Sequence, residues 1–235
     1  MKYSKNILAL LVPFTLCVAA TVLIHEVTND FDLTLTRYIA GTGHMWPGNW
    51  PGLKHYPWPI LYRLAPWPAI LVGVSALLIL LAGWFRPRLR TLRRPALFLV
   101  LLLALGPGLL INVIFKDNYG RVRPKELQEY GGNLSYSHVW EFGNGGRNSS
   151  FPSGHAGIAF YLMAPWFLYR RNNRPQAIFF LLVGLGWGGL VGTARMLQGG
   201  HYLTDVLWAA GMVYLTGEVL AQVLRLDGGD EHTCR

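Results

Sequence analysis

Apolar residues along this chain fall into six runs, at positions 6–24, 66–85, 95–115, 151–169, 175–194 and 203–224. Each is close to the ~20 residues that an α-helix needs to cross about 30 Å of hydrocarbon. Lipid cannot hydrogen-bond an exposed backbone, so a helix is the expected form of every run. Pro66, Pro95 and Pro175 open three of them, at the position where a missing N–H is tolerated. The pattern predicts an all-α polytopic membrane protein with six transmembrane helices, folded as one membrane domain over 1–235. No internal repeat, low-complexity tract or second domain interrupts it.

The polar stretches between the runs give an orientation. Residues 86–94 hold five arginines, and residues 170–174 hold three more. Basic loops beside spans mark the cytoplasmic side. Both loops, and both termini, are therefore expected on that side. A net charge of +9 could suggest nucleic acid as a partner. The arginines instead cluster between apolar runs, and only 14% of residues are charged, against about 25% in a soluble domain. No nucleic acid is expected. Lys2 and Lys5 precede the first run as in a cleavable signal, but no small-residue cleavage site follows Ala20, so the run is read as a retained span. Cys17 and Cys234 are far apart in the pattern. No disulfide, cysteine metal site or cofactor is expected.

The loop at 25–65 is rich in Trp, Tyr and Pro. Trp46, Trp50, Trp58 and Trp67 are expected at headgroup level, with short interfacial helices nearby. His44 and His55 have no evident partner and are read as interfacial or structural. The loop at 125–150, with Tyr136, Trp140 and Phe142, is either a lid or substrate rim, or a disordered hairpin.

Three segments carry chemistry, all at the ends of runs on the outward side. In the third, His201 and Asp205 are four residues apart at the start of the last run, on one helix face. A carboxylate beside an imidazole fixes its tautomer and raises the basicity of the free nitrogen. His201 is thus a candidate nucleophile towards phosphorus. Arg195, on the same side, can grip a phosphoryl group through two hydrogen bonds. An interfacial His–Asp pair would read the same way. The second segment, Pro152-Ser153-Gly154-His155, opens the fourth run. It offers backbone N–H groups to an anion, a Ser153 hydroxyl, close backbone approach at Gly154, and in His155 a proton donor for a leaving oxygen. An N-capped helix with an incidental histidine is the plainer alternative. The first segment holds Lys116 and Arg123-Pro124. Arg121 and Arg147 are secondary candidates. For Arg121, a side chain reaching from the lipid boundary to water would suffice. Glu218 lies 13 residues beyond Asp205, about 20 Å along a helix, and is expected near the cytoplasmic surface, away from the chemistry.

Lys-x6-Arg-Pro, Pro-Ser-Gly-His and Arg-x5-His-x3-Asp, in that order, resemble the type 2 phosphatidic acid phosphatase (PAP2) superfamily of integral membrane lipid phosphatases. In this chain they are Lys116/Arg123-Pro124, Pro152–His155 and Arg195/His201/Asp205. The family's third motif usually begins Ser-Arg; here it is Ala194-Arg195, which removes a hydroxyl but no charge. The resemblance implies that Lys116, Arg123, Ser153, Gly154 and Arg195 bind phosphate. It further implies that His201, oriented by Asp205, becomes a phosphohistidine, and that His155 acts as acid and then base, without a metal. The runs around Gly145–His155 and Gln198–His201 are similar to those of bacterial lipid A phosphatases.

The expected substrate is a membrane lipid phosphate whose tails stay in the bilayer: lipid A, undecaprenyl pyrophosphate, phosphatidylglycerol phosphate or phosphatidic acid. The expected place is a bacterial inner membrane, with the site facing the periplasm. A phosphotransferase would use the same phosphohistidine. Vanadium-dependent haloperoxidases share these motifs, but they are soluble, which six apolar runs oppose. A non-enzymatic anion transporter or scaffold with a basic vestibule is the reading from another class.

Overall fold

Helix formation follows the apolar runs, with two departures that shape the site. The computed structural model describes residues 2–23, 31–41 and 49–226. His44, Trp46 and Cys234, and with them the expected interfacial position of His44 and Trp46, lie outside these residues.

Along the chain run α1 (Lys2–Val22), α2 (Phe31–Ala40), α3 (Pro51–Lys54), α4 (Trp58–Leu64) and α5 (Trp67–Phe85). Then come α6 (Arg93–Leu103), α7 (Lys116–Asn118), α8 (Gly154–Phe160), α9 (Pro165–Tyr169), α10 (Arg174–Leu197) and α11 (Leu203–Val223). Among the described residues there is no strand. Among the described residues, four stretches are long and apolar enough to cross a bilayer: Trp58–Phe85, Pro87–Asn118, Arg174–Leu197 and Leu203–Val223. Leu71, Leu78, Leu81 and Leu182 stand exposed on them, a surface that hydrocarbon would cover. The protein is an all-α membrane protein, and these four stretches fall short of the six expected. α1 occupies the first predicted span with 21 residues.

The fourth predicted span is the first departure. It is broken into α8 and α9 around a 3-10 turn at Tyr161–Met163, and Pro165, which has no N–H to continue the ladder, opens α9. This segment lies in the bundle interior: Ala156, Ala159, Phe160, Tyr161, Met163 and Phe167 are all buried. Small residues on its neighbours make room. A side chain at Gly188 would strike the Phe160 ring, and one at Gly217 the Phe167 ring. The π segment after α6, α10 and α11 all pack on α8, while α1 lies along α11.

The second departure is a π-helical stretch at Ala104–Phe115, which joins α6 to α7 and contains Pro107. Pro107 cannot donate to the ladder, and the wider i→i+5 winding absorbs the defect. The Asn112 side-chain amide donates to the Pro107 carbonyl at 2.6 Å.

Within the described part of the 25–65 loop lie the short helices α2, α3 and α4. Trp50 is not open to lipid headgroups. It is fully buried, edge-on to Tyr130 at 5.3 Å, because Gly199, at φ +63°, leaves its ring the space a side chain would take. Nor is 125–150 a disordered hairpin. Two 3-10 turns order it, the Tyr119 hydroxyl donates to the Val139 carbonyl, and the Lys125 amide donates to Gly199 O at 3.0 Å.

Candidate active site

The three sequence segments meet at one end of the bundle. α5 begins there and the stretch from α6 ends there, as does α10, while α8 and α11 start there. Lys116 and Arg195 lie within electrostatic reach of both His155 and His201, and Arg123 reaches His155 as well.

His201 lies in the turn between α10 and α11 and is 1% exposed. Its Nδ1 sits 2.6 Å from the Ser150 carbonyl. A carbonyl can only accept, so Nδ1 carries the proton and Nε2 keeps its lone pair. Nε2 is buried and has no hydrogen-bond partner. Burial, aided by the nearby Arg195 and Lys116 charges and opposed by Asp205, pushes the ring down to about 3. The imidazole is therefore neutral.

Asp205 lies beside this ring and is engaged by other donors as well. Its Oδ2 is 3.7 Å from His201 Nδ1, beyond hydrogen-bond range. The Ser150 carbonyl is the nearer acceptor for that nitrogen. Asp205 accepts from Ser150 Oγ at 2.5 Å, from the Tyr202 amide at 2.8 Å and from Arg121 Nη1 at 2.5 Å.

Arg121 departs from the expected solvent-reaching side chain. It does not reach to water. It is fully buried, with Nη2 3.0 Å from Asp32 and Nε 3.2 Å from the Ser137 carbonyl. Its guanidinium lies 4.3 Å from the Tyr202 ring centre. Asp32, on α2, also takes the Thr204 amide at 3.0 Å and the Thr204 hydroxyl. The two acids hold Arg121 firmly charged, overcoming the cost of its burial.

The other cations surround the histidines. Arg123 is turned by Asn148, to whose carbonyl Nη2 donates at 2.7 Å. Arg195 donates to Gln198 Oε1 at 2.5 Å and stands 4.8 Å from the Tyr62 ring centre. Tyr62 stacks on His155, with ring centres 4.5 Å apart. Gly154 faces Asn112 and Lys116: a side chain there would collide with Asn112 Oδ1 and approach Lys116 Nζ to 3.4 Å. Ser153 Oγ and Arg195 Nε, like His201 Nε2, are buried without a partner. Buried polar atoms are ordinarily bonded; Trp50 Nε1, Tyr130 Oη, Ser137 Oγ, Trp166 Nε1 and Tyr202 Oη are also without partners, and Ser153, Arg195 and His201 are the ones that belong to the three sequence segments.

Arg147 is exposed on its loop and is not drawn into the cluster. Glu218 is at the other end of α11, 2.5 Å from Arg170, as expected. Among the described residues no group of three metal-binding side chains forms. Sequence reasoning missed Asp32, Tyr62, Ser150 and Thr204. Ser150 was reachable in principle, because it lies beside the second segment; the others become neighbours only through the fold.

Comparison with known proteins gives relatives and a family. The chain is 28% identical over 182 residues to a lipid A 4'-phosphatase of Francisella tularensis subsp. novicida, covering 77% of this chain and 79% of the relative. It is 32% identical over 133 residues to a lipid A 4'-phosphatase of Rhizobium leguminosarum, covering 55% of this chain and 54% of that protein. A Rhizobium etli protein of the same name is 32% identical over 138 residues, covering 55% and 49%. The chain thus spans about half the length of the two Rhizobium relatives. No solved structure matches. The family model of the PAP2 superfamily matches residues 95–226, from the α6 span through α11 and across all three segments, and the chain belongs to that superfamily as a membrane phosphatase.

Proposed function

We propose that this phosphatase removes a phosphate from a membrane lipid of the lipid A type, through a phosphohistidine on His201. The observation that carries the mechanism is His201 Nε2: buried, unprotonated and unpartnered, with its other nitrogen fixed by the Ser150 carbonyl. The lipid assignment rests on the relatives' names.

Lys116, Arg123 and Arg195 hold the phosphoryl oxygens, with the Ser153 hydroxyl and the Gly154 amide. The His201 Nε2 lone pair attacks phosphorus as the P–O bond to the lipid breaks, and His155, protonated once the bound phosphate's negative charge offsets the cations around it, gives that proton to the departing oxygen. His155 then takes a proton from water, whose oxygen attacks phosphorus and returns the N–P electron pair to His201. The cations act where charge redistributes in the transition state. Asp205 favours the positive charge that His201 carries in the intermediate. The arginine-rich loops at the opposite end of the bundle support a cytoplasmic face there, and hence a site facing the periplasm of a bacterial inner membrane.

The test is phosphate release from a 32P-labelled panel of lipid phosphates by purified protein, with and without an acceptor lipid. We expect free phosphate without acceptor, an acid-labile protein-bound label, and neither with His201→Ala. Unchanged release by His201→Ala overturns the mechanism. Label appearing only on an acceptor lipid makes the protein a transferase. Release confined to other lipid phosphates overturns the lipid A assignment.

A further inference from the structure

At the bundle end away from His201, α5 and α6 are joined by a 3-10 segment, Pro87–Leu92. The α5 helix has 19 residues, so this end lies about 28 Å from its start beside Tyr62. A groove of about 680 Å³ opens here between the two helices. Its walls are Leu81, Trp84 and Leu97, and its rim carries Arg90, Arg93 and Arg94.

The groove has two features that a merely basic loop lacks. Arg93 is held in place. Gly83 is buried, and a side chain there would run into the Arg93 Cγ and Cδ atoms, so the arginine stem lies flat across α5. Its guanidinium then sits 4.0 Å from the Trp84 ring centre. Among the described residues no carboxylate pairs with Arg90, Arg93 or Arg94. No Asp or Glu occurs anywhere between Asp32 and Asp117 in the sequence. Hydrocarbon walls below a fixed cationic rim, at the level where a span leaves the bilayer, match an acyl chain below an anionic headgroup.

We infer that the α5–α6 groove holds one anionic phospholipid of the leaflet opposite the catalytic site, with its phosphate between Arg90, Arg93 and Arg94 and an acyl chain along Leu81, Trp84 and Leu97. The site is separate from the reaction and independent of the lipid it dephosphorylates.

The probe is phosphatidylglycerol, titrated against phosphatidylcholine into the purified full chain in neutral detergent, with bound lipid counted by native mass spectrometry. Wild type is expected to retain phosphatidylglycerol at least tenfold more tightly than phosphatidylcholine. R90Q/R93Q/R94Q is expected to lose that preference. R86Q/R88Q/R174Q removes the same charge from the same end of the bundle outside the groove, and is expected to keep it. Thermal unfolding and phosphate release check that both variants are folded. Equal retention of the two lipids by wild type overturns the inference. So does an equal loss in both triple variants, which would make the effect a diffuse field, or an unchanged preference in R90Q/R93Q/R94Q.

Discussion

Arg121 Nη1 lies 2.5 Å from Asp205 Oδ1, and solvent reaches neither side chain. On its other side Arg121 meets Asp32 at 3.0 Å. A cation from the first motif region thus fixes the carboxylate of the third motif, and an acid from α2 fixes the cation. Removing one partner of a buried pair leaves an uncompensated charge, which costs about 3–5 kcal/mol. Arg121→Gln should therefore lower stability by about that amount, read from thermal unfolding in detergent. Arg121→Lys should fall between, since one ammonium cannot bond both acids and stack on Tyr202 as the planar guanidinium does. A wild-type unfolding midpoint for Arg121→Gln would refute the structural role.

Asp32 and Asp205 share Arg121 but no other donor: Thr204 serves Asp32, and Ser150 and the Tyr202 amide serve Asp205. Their effects should therefore couple. Asp32→Asn and Asp205→Asn each weaken the hold on Arg121, and a double-mutant cycle should return an interaction of about 0.5–3 kcal/mol. Strict additivity in unfolding free energy would show that the acids act independently. Asp205→Asn should also lose stability along with turnover, which a purely tautomer-setting residue need not do.

Tyr62 joins two phosphate-site groups, stacked on His155 and lying 4.8 Å from the Arg195 guanidinium. Both contacts are made by its ring. Tyr62→Phe should leave kcat/KM near wild type. Tyr62→Ala should lower it by roughly tenfold, the equivalent of a cation–π contact of about 1–2 kcal/mol, with the fold intact. Steady-state kinetics on a lipid phosphate decide this, and a Tyr62→Phe variant as impaired as Tyr62→Ala would assign the effect to the hydroxyl.

Ser150 serves the site twice, and substitution separates the two roles. Its carbonyl holds His201 Nδ1 and survives in Ser150→Ala; its hydroxyl, 2.5 Å from Asp205, does not. A hydrogen bond to a charged group is worth about 1.5–3 kcal/mol. Ser150→Ala should be destabilised within that range while still forming the acid-labile His201 adduct. Loss of the adduct in a folded Ser150→Ala protein would mean that the hydroxyl, not the carbonyl, governs the nucleophile.

The apolar runs made most of the helices legible, because a ~20-residue run has few other options in lipid. The broken α8–α9 segment was not, because it is apolar through burial among its neighbours rather than through facing lipid, and periodicity does not separate the two. The charged site residues were legible from three spaced motifs. Their pairing was not. Spacing put His201 and Asp205 on one face, yet the carboxylate turned to Arg121, Ser150 and the Tyr202 amide, which lie nearer than the imidazole. Asp32 and Tyr62 carried no local signal at all, since their partners lie 89 residues away at Arg121 and beyond the loop at His155.

His201 gives the sharpest pH test. Its ring titrates at 6.5 ordinarily and is pushed down to about 3 here, first by burial. Between pH 6.5 and 3 the unfolded chain therefore holds a proton on this ring that the folded protein does not. Stability from this group rises with pH across that window: it is complete above 6.5 and is lost as pH falls towards 3. Carboxylates titrate in the same range, so the measurement is a difference. Unfolding midpoints of wild type and His201→Gln, taken in detergent from pH 7 down to 4, should diverge, with wild type falling more steeply because glutamine binds no proton. Parallel curves would place the His201 pKa near its ordinary value, and with it a ring open to water rather than a dry nucleophile poised at Nε2.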